Sequence, residues 1–237
     1  MSETVIPRPF PSKPDFLNRV KRLNLPVSSI VDVGVREATP ELISAFPSCR
    51  HHLFEPVNLF YPAIASAYSN VDHVLHPIAL SDADTSMYLT VTSLQHDGEA
   101  THSAIGSRDV PVDGRTVLSC IPLDVRRFDS LPDQFGKDFL LKIDVDGVEL
   151  QVLKGFGSQL SRASVVVIEA SYTTYVGRLQ YLTENGFELY DIVDMVYYGD
   201  GLYQFDAAFV RRDLLSAALR PSMTQFRRDL WWPLQKG

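Results

Sequence analysis

The sequence predicts an α/β fold with a mostly parallel central sheet, helices on both faces and an antiparallel pair of strands near the C-terminus. Short apolar segments alternate with segments of helical period from residue 29 to residue 186, which is the pattern of a parallel sheet covered by helices. The segment SVVVIEAS at 164–171 is almost continuously apolar, as is typical of a strand buried on both faces. The 237 residues, 45% of them hydrophobic, suffice for the core of one such domain.

The first half of the chain predicts a leading helix followed by a β-α-β-α-β unit. Pro26 ends the leading helix, because proline disrupts a helix interior. The helix after the first strand has Thr39 as its N-cap and Pro40 at its first position, both favoured there. The predicted helices cover 15–25, 39–46 and 59–68, the last interrupted by Pro62, and the predicted strands cover 30–34, 51–56 and 71–81.

Beyond residue 81 the alternation of strands and helices is interrupted. Residues 86–91 alternate in hydrophobicity like an edge strand, whereas residues 92–109 show no clear period and predict a functional or disordered loop. The remaining predictions are strands over 116–125, 138–147 and 164–171, helices over 123–131, 149–160 and 175–186, and the antiparallel pair 187–198 with 202–213. We divide the chain into an N-terminal arm and leading helix (1–28), a main domain (29–213) and a C-terminal tail (214–237).

The charge balance and the apolar segments argue against two classes of partner. Acidic residues outnumber basic ones by 29 to 22, for a net charge of -7, so the chain lacks the basic character of proteins that bind a nucleic-acid backbone. No segment approaches the ~20 apolar residues that span a bilayer, and the first residues lack a signal-peptide pattern. With only two cysteines, the chain is expected in the cytoplasm, a reducing compartment.

The first strand ends in a loop that favours a nucleoside ligand without a phosphate. Asp32 precedes Gly34, which allows a sharp turn into the next helix. Arg36 and Ala38 stand where a dinucleotide-binding loop has further glycines, which let backbone amides approach the phosphates. The loop therefore argues against a nicotinamide dinucleotide.

The ends of the second and third strands offer groups for a ribose and a base. Glu55, followed by Pro56, lies 21 residues after Gly34, close to the ~20-residue offset at which a carboxylate accepts ribose hydroxyls. The alternative is an exposed glutamate at a strand end. Leu80 and Ser81 end the third strand and offer apolar and polar atoms to an adenine ring.

The segment LKIDVDGVEL at 141–150 carries charges at the end of an apolar strand. Strand periodicity places Lys142, Asp144 and Asp146 on one face, where a buried charge is costly unless it is paired or functional. Two interpretations stay open: a functional Lys–Asp pair, or a purely architectural ion pair with Glu149 capping the next helix.

Six segments of the chain resemble the FkbM-type methyltransferases. They are VDVG at 31–34, FEP at 54–56, ALSD at 79–82, LKIDVDGVELQVLKG at 141–155, VVVIEA at 165–170 and FDAAFVRRD at 205–213. The resemblance implies a class I, Rossmann-like methyltransferase fold with S-adenosylmethionine as the methyl donor. It also implies O-methylation, commonly of sugars or other secondary metabolites.

The resemblance also implies a set of cofactor-binding residues. Asp32, Gly34 and Glu55 fall in the cofactor site, with Ser81 near the adenine and Asp144 near the methyl group and the acceptor. Arg36, Pro56 and Leu80 adjoin these positions and complete the predicted set.

The first loop departs from the family pattern. The family usually has Gly-Ala-Asn-x-Gly, whereas this chain has Gly34-Val35-Arg36-Glu37-Ala38. The alanine is expected to be strained if its φ is positive. Arg36 either pairs with the cofactor carboxylate or pairs internally with Glu37 or Glu41. The alternative function is therefore a non-catalytic binding or scaffold protein that has the fold but has lost cofactor affinity.

Methyl transfer to an alcohol also needs a group that accepts the hydroxyl proton. Asp144 is the first candidate, supported by Lys142, and His96 and His102 from the polar loop are second choices because imidazole titrates near neutrality. A divalent metal held by Asp144, Asp146 and Glu169 is a less favoured route. The alternative is that Glu169 is paired inside the sheet, so no metal site is predicted.

The acceptor is predicted to be a small molecule or a glycan. The tail carries Trp231 and Trp232 beside basic residues. Such a pair closes an acceptor site, joins two subunits of a homo-oligomer, or packs back on the domain, and these interpretations stay open.

Overall fold

The computed structural model describes residues 11–93, 102–106 and 116–216, and it confirms the predicted α/β fold. Its helices are α1 (Lys13–Arg22), α2 (Pro40–Ala45), α3 (Tyr61–Ala67), α4 (Glu149–Gly155) and α5 (Tyr175–Glu184). Its strands are β1 (Ser29–Val33), β2 (Arg50–Phe54), β3 (His73–His76), β4 (Ala79–Leu80), β5 (Thr85–Ser93), β6 (His102–Gly106), β7 (Thr116–Arg126), β8 (Phe139–Ile143), β9 (Ala163–Ser171), β10 (Phe187–Tyr198) and β11 (Gly201–Arg211).

The central sheet has seven strands in the order β10-β11-β9-β8-β1-β2-β3. Strands β9, β8, β1, β2 and β3 are parallel, and β11 runs antiparallel to both of its neighbours. The chain proceeds outward from β1 to β3 and later returns to β8 on the other side of β1. A crevice for a ligand is expected at such a switch point, beyond the carboxyl ends of β1 and β8.

Helices cover both faces of the central sheet. One face, here called the α1 face, packs Phe16 and Leu17 of α1 against Leu140 of β8 and Val165 of β9. The opposite α4 face packs α4 and α5 against the alternate strand residues. Within the described ranges, no helix has the length and apolar character needed to cross a membrane.

Helix α1 begins earlier than predicted because of a capping box. The Ser12 hydroxyl accepts the Asp15 N–H at 3.3 Å, and the Asp15 carboxylate accepts the Ser12 N–H at 3.3 Å. This reciprocal pair satisfies N–H groups that a helix start leaves free. The helix ends at Arg22, ahead of the predicted boundary at residue 25.

The predicted third strand over 71–81 is two strands that belong to different sheets. Pro77, which lacks a backbone N–H, separates β3 from β4, and β3 stays in the central sheet. Strand β4 instead pairs with β7 in a four-stranded sheet of order β4-β7-β5-β6. The prediction that Leu80 and Ser81 end a strand of the central sheet is therefore wrong.

Four further boundaries differ from the sequence-based prediction. Strand β6 lies within the stretch predicted as a loop, and the predicted helix over 123–131 is the end of β7 followed by a 3-10 turn at 128–130. The predicted helix over 149–160 is α4 followed by a 3-10 segment at 157–162, which begins at Gly157 with φ +50°. Pro62 does not interrupt α3 but lies in its first turn, where a missing N–H costs nothing.

The strand predicted over 138–147 ends at Ile143. Asp146 and Gly147 have φ values of 54° and 106°, which no strand can include. Asp144 and Asp146 therefore lie in the loop after β8, and the prediction that strand periodicity aligns them is wrong.

Candidate functional site

The turn after β1 brings the ends of three strands together at Gly34. The Gly34 N–H donates to the Phe54 carbonyl at 3.0 Å, and the Asp144 N–H donates to the Val33 carbonyl at 3.0 Å. Gly34 has φ +80°, and a Cβ built there would lie 1.9 Å from the Asp144 carbonyl oxygen. Glycine is therefore required both for the turn and for the close approach of the loop after β8.

Glu55 is buried at the end of β2 and holds the loops on either side. Its side chain is 5% exposed, its Oε2 accepts the Arg36 N–H at 2.8 Å, and its Oε1 accepts the Val57 N–H at 2.8 Å. Burial raises the pKa of Glu55, while the two N–H donors and Lys142 oppose that rise. Each carboxylate oxygen retains a second acceptor site, so Glu55 is not simply an exposed residue at a strand end.

Pro56 lies between Glu55 and Val57 in the sequence and is half-buried. Arg36, on the other side, has φ +54° and an exposed side chain. Its guanidinium carbon lies 6.0 Å from the centre of the Phe60 ring, within range of a cation–π contact.

The structure places the strain of the first loop at Arg36. Ala38 is not among the residues with positive φ, so the strain expected there is absent. Among the described residues, Arg36 makes no ion pair with Glu37 or Glu41, and Glu41 instead contacts the Lys13 amine at 3.2 Å.

Lys142 and Asp32 form a buried ion pair between β8 and β1. The two residues are opposite each other in the sheet and lie on the α1 face. The Lys142 amine donates to the Gly34 carbonyl at 2.9 Å and lies 3.3 Å from Asp32 Oδ1 and 3.6 Å from Asp144 Oδ2. Burial lowers the pKa of Lys142, but the Asp32 and Asp144 carboxylates outweigh that effect and the net pKa is raised. Lys142 is therefore a fixed cation that positions the Gly34 turn and Asp144.

Asp32 is fully buried, and within the described ranges its two carboxylate oxygens accept no hydrogen bond. An unsatisfied buried carboxylate is costly. Its charge is balanced by the nearby Lys142 amine rather than by hydrogen-bond donors.

Asp144 is held at the edge of the sheet by the loop that follows it. Its side chain is 40% exposed. Below it, the Glu149 carboxylate accepts the Gly147 N–H at 3.0 Å and the Val145 N–H at 3.4 Å, and it pairs with the buried guanidinium of Arg178. Glu149 therefore holds the loop that carries Asp144. It does not cap α4, whose N-cap is Val148 without a side-chain cap hydrogen bond, so the capping role predicted for Glu149 is wrong.

Glu169 is a site residue that the sequence analysis considered only as a less favoured metal ligand or as a residue paired inside the sheet. It lies one residue after Ile168, which pairs with Ile143 in the parallel β8–β9 ladder, so it is level with Asp144. The Gln204 side-chain amide donates to Glu169 Oε1 at 2.9 Å. Burial, followed by the charges of nearby carboxylates, raises the pKa of Glu169 to about 7. A charged residue in an otherwise apolar strand was the sequence signal for it.

Leu80 and Ser81 are tied to the second sheet and to α4. Leu80 is 3% exposed and packs in the core with Phe54. The Ser81 N–H donates to the Arg126 carbonyl at 2.9 Å, and the Ser81 carbonyl lies 2.0 Å from where a Cβ on Gly155 would be. The adenine contact expected of these two residues stays a prediction.

The remaining predicted residues belong to segments of which less is described. His102 begins β6 and pairs with Thr92 of β5. His96, Trp231 and Trp232 lie outside the described residues. In the part of the chain that the structure describes, no group of three or more His, Cys, Asp or Glu side chains has an arrangement that holds a metal ion.

Comparison with known proteins identifies a family. Residues 32–189 match the family model described as the methyltransferase FkbM domain, and no curated protein matches the chain. The match begins at Asp32 and includes Gly34, Glu55, Asp144 and Glu169.

Several solved methyltransferase structures are similar to the chain at low identity. The TrmK protein of M. capricolum in complex with S-adenosyl-homocysteine is 11% identical, with a TM-score of 0.44 over 83% of this chain and 67% of that chain. The precorrin-6y C5,15-methyltransferase of Geobacter metallireducens is 12% identical, with a TM-score of 0.42 over 89% and 92%. The ribosomal protein L11 methylase of Lactobacillus delbrueckii is 14% identical, with a TM-score of 0.44 over 83% and 76%.

Proposed function

Because the chain belongs to the FkbM methyltransferase family, we propose that it transfers the methyl group of S-adenosylmethionine to a hydroxyl oxygen of a sugar, glycan or other small metabolite. The observation that carries this proposal is Glu55. Its carboxylate is buried beside the switch point of the sheet and retains acceptor sites for two ribose hydroxyls.

The residues of the site fit the proposed donor. Glu55 would hold the ribose, and the turn at Gly34 provides a close backbone surface without the extra glycines that a pyrophosphate needs. Arg36, exposed above Phe60, is available to the carboxylate of the donor. When bound, S-adenosylmethionine supplies a methyl group on a positively charged sulfur, and this charge suits an edge of the sheet that carries Asp144 and Glu169.

The other residues of the site align the reactants. Lys142 fixes the Gly34 turn and Asp144 through contacts of 2.9 and 3.6 Å, and Glu149 fixes the loop after β8. Holding an acceptor in line with the methyl group accounts for much of the rate enhancement in reactions of this kind. Asp144, level with Glu169, is proposed to contact the acceptor.

The proposed acceptor is a neutral hydroxyl compound rather than a nucleic acid. The net charge of -7 and the carboxylates at the sheet edge would repel a phosphate backbone. A cytoplasmic setting, supported by the free Cys49 and Cys120, and assembly into a homo-oligomer are part of the same proposal.

One observation favours a second candidate, a binding or scaffold protein without activity. Arg36 adopts φ +54° in the loop where the family usually has asparagine, a residue that tolerates this conformation better. Arginine in place of asparagine at this position is expected if the protein has lost affinity for the cofactor.

A labelled transfer assay separates the two candidates. The protein is incubated with S-adenosylmethionine carrying a carbon-13 methyl group and with a panel of methyl glycosides, and products are analysed by mass spectrometry. The proposal expects a labelled methyl ether, and a Glu55→Gln variant should form little of it. Label on nitrogen or carbon would contradict O-methylation, and donor binding without transfer to any member of the panel would favour the binding protein.

A further inference from the structure

Glu169 lies at the point where three strands of the central sheet converge. The register pairs Ile143 with Ile168, so Asp144, the first residue after β8, lies level with Glu169 of the adjacent parallel strand β9, with the two backbones about 5 Å apart. On the other side, Asp206 of β11 pairs directly with Glu169. Glu169 is half-buried and lies on the α1 face with Lys142.

The charged groups around Glu169 are mostly negative. The carboxylates of Asp144, Asp146, Glu149 and Asp206 all disfavour a negative charge on Glu169. Its hydrogen-bond donor is the neutral amide of Gln204, at 2.9 Å.

The cations nearby are paired with other carboxylates. Lys142 lies 3.3 Å from Asp32, the Lys13 amine lies 2.8 Å from Asp206, and Arg178 pairs with Glu149. Among the described residues, Glu169 therefore has no cation of its own. A half-buried carboxylate in this position keeps its proton more readily than an ordinary glutamate.

We propose that Glu169 is the catalytic residue that takes the hydroxyl proton of the acceptor, and that the positive sulfur of the bound donor drives its ionisation; this rests on the function proposed above. Asp144, already an ion-pair partner of Lys142, instead contributes to the negative surroundings that hold the proton on Glu169 before the donor binds. A base that titrates near the working pH is best matched to this task.

The proposed step balances in atoms and charge. The acceptor oxygen bonds to the methyl carbon, the carbon–sulfur bond breaks with its electron pair staying on sulfur, and the hydroxyl proton passes to the Glu169 carboxylate. One positive and one negative charge disappear together, so the products are a neutral ether, a neutral thioether and a neutral carboxyl group. A half-buried site favours this outcome because it solvates separate charges poorly.

The first test is a titration of Glu169 in the protein without ligand. Glutamate carboxyl groups labelled with carbon-13 are followed by NMR, and the signal missing from a Glu169→Gln variant is assigned to Glu169. We expect its midpoint at about 7, and at a lower pH in an Asp144→Asn variant. The exposed Asp200→Asn variant is the matched control and should leave the midpoint unchanged. An ordinary midpoint near 4.5 would overturn the proposal, whether or not the donor binds.

The second test measures proton release by calorimetry at pH 7 in buffers of different ionisation enthalpy. S-adenosylmethionine should release about half a proton per site through ionisation of Glu169. S-adenosylhomocysteine, which lacks the sulfur charge, should release much less. The difference should vanish in Glu169→Gln and persist in the exposed control Glu184→Gln.

The outcomes of the second test separate this inference from the proposed function. Equal proton release in wild type and Glu169→Gln would overturn the role of Glu169 while leaving donor binding intact. Absence of any donor binding would contradict the proposed function, and the NMR titration would still decide the ionisation of Glu169. With an acceptor from the methyl glycoside panel, Glu169→Gln should lose about 10²–10⁴-fold in rate, and full activity would contradict the proposal.

Discussion

Gly34 and Gly186 are two glycines with nearly the same backbone conformation in different surroundings. Gly34 has φ +80°, and a Cβ added there would lie 1.9 Å from the Asp144 carbonyl oxygen. Gly186 has φ +89°, and a Cβ added there would have no atom within 4 Å. Any difference between alanine variants at the two positions therefore reports the contact between the first loop and the loop after β8.

We predict that Gly34→Ala lowers the free energy of unfolding by about 3 kcal/mol or more, because backbone strain and a clash with a carbonyl combine. Gly186→Ala should lose only about 1–2 kcal/mol, the cost of the conformation alone. Urea unfolding of both variants measures the difference. Equal losses would show that the loop after β8 yields easily and that the site is less rigid than described.

Sequence analysis identified the site residues whose signals depend on residues nearby in the sequence. Gly34, Glu55 and Lys142 follow from a turn, an offset and a charge at the end of an apolar strand. Glu169 was grouped with Asp144 as a possible metal ligand, but its neighbours Gln204 and Asp206 on β11 were not predicted. Only the register between strands, which sequence spacing does not determine, brings these side chains together.

At the level of secondary structure elements, the β8–α4 connection depends on one buried ion pair. Arg178 of α5 pairs with Glu149 at the start of α4, and their side chains are 4% and 0% exposed. Removing one partner of such a pair leaves the other charge buried and uncompensated. The same pair holds the loop that carries Asp144.

Arg178→Ala should therefore lower the free energy of unfolding by about 3–5 kcal/mol. The matched control is Arg50→Ala, because Arg50 and Asp72 form an ion pair with side chains 56% and 59% exposed, and such pairs contribute about 0–1 kcal/mol. The double variant Arg178→Met with Glu149→Gln should regain part of the loss, since it leaves no buried charge unpaired. Similar urea midpoints for Arg178→Ala and Arg50→Ala would refute this account of the loop.

The elements that sequence analysis predicted poorly depend on tertiary contacts. Strand β6 exists through pairing with β5, and its polar neighbourhood gives no period of its own. The third strand divides at Pro77 because β4 joins another sheet. Strand β8 stops before Asp144 because the next residues turn back to meet Glu149, a contact that the apolar pattern does not reveal.

On the scale of the whole molecule, three histidines near the far edge of the sheet make stability depend on pH. His51 and His52 of β2 are buried, and His52 Nδ1 lies 3.3 Å from His76 Nε2. Burial lowers the pKa of all three, that of His52 to about 4, where the neighbouring His76 adds to the effect. The folded protein therefore keeps the His52 ring neutral under mildly acidic conditions.

This shift predicts acid destabilisation between pH 6.5 and pH 4. The unfolded chain binds protons at histidine below about 6.5, whereas the folded His52 does so only near 4. The contribution of the neutral His52 to stability is thus fully present above pH 6.5 and is lost as the pH falls toward 4. Glu169, which takes up a proton in the folded protein near pH 7, acts in the opposite direction. The urea midpoint of Glu169→Gln should therefore decrease from pH 7.5 to pH 5, and adding His52→Leu should flatten the slope. A slope unchanged in His52→Leu would assign the effect to other groups.

Part of the candidate site lies on a strand beyond the residues that match the family model. The match ends at residue 189, but Gln204 and Asp206, which face Glu169, lie on β11 beyond it. The sequence order of the strands was predictable from the apolar pattern. Their spatial order, which places β11 beside β9, was not, because it depends on how the last hairpin folds back.

Calorimetric titration of S-adenosylmethionine into wild type and Glu55→Gln tests the central claim most directly. The wild-type protein should bind one equivalent, and the variant should lose about tenfold or more in affinity, since a hydrogen bond to a charged group contributes about 1.5–3 kcal/mol. Thermal unfolding of the variant, with Glu184→Gln as the matched control, ensures that lost affinity is not lost folding. Absence of binding to wild type at millimolar donor, or equal affinity in Glu55→Gln, would contradict a donor site built on this carboxylate.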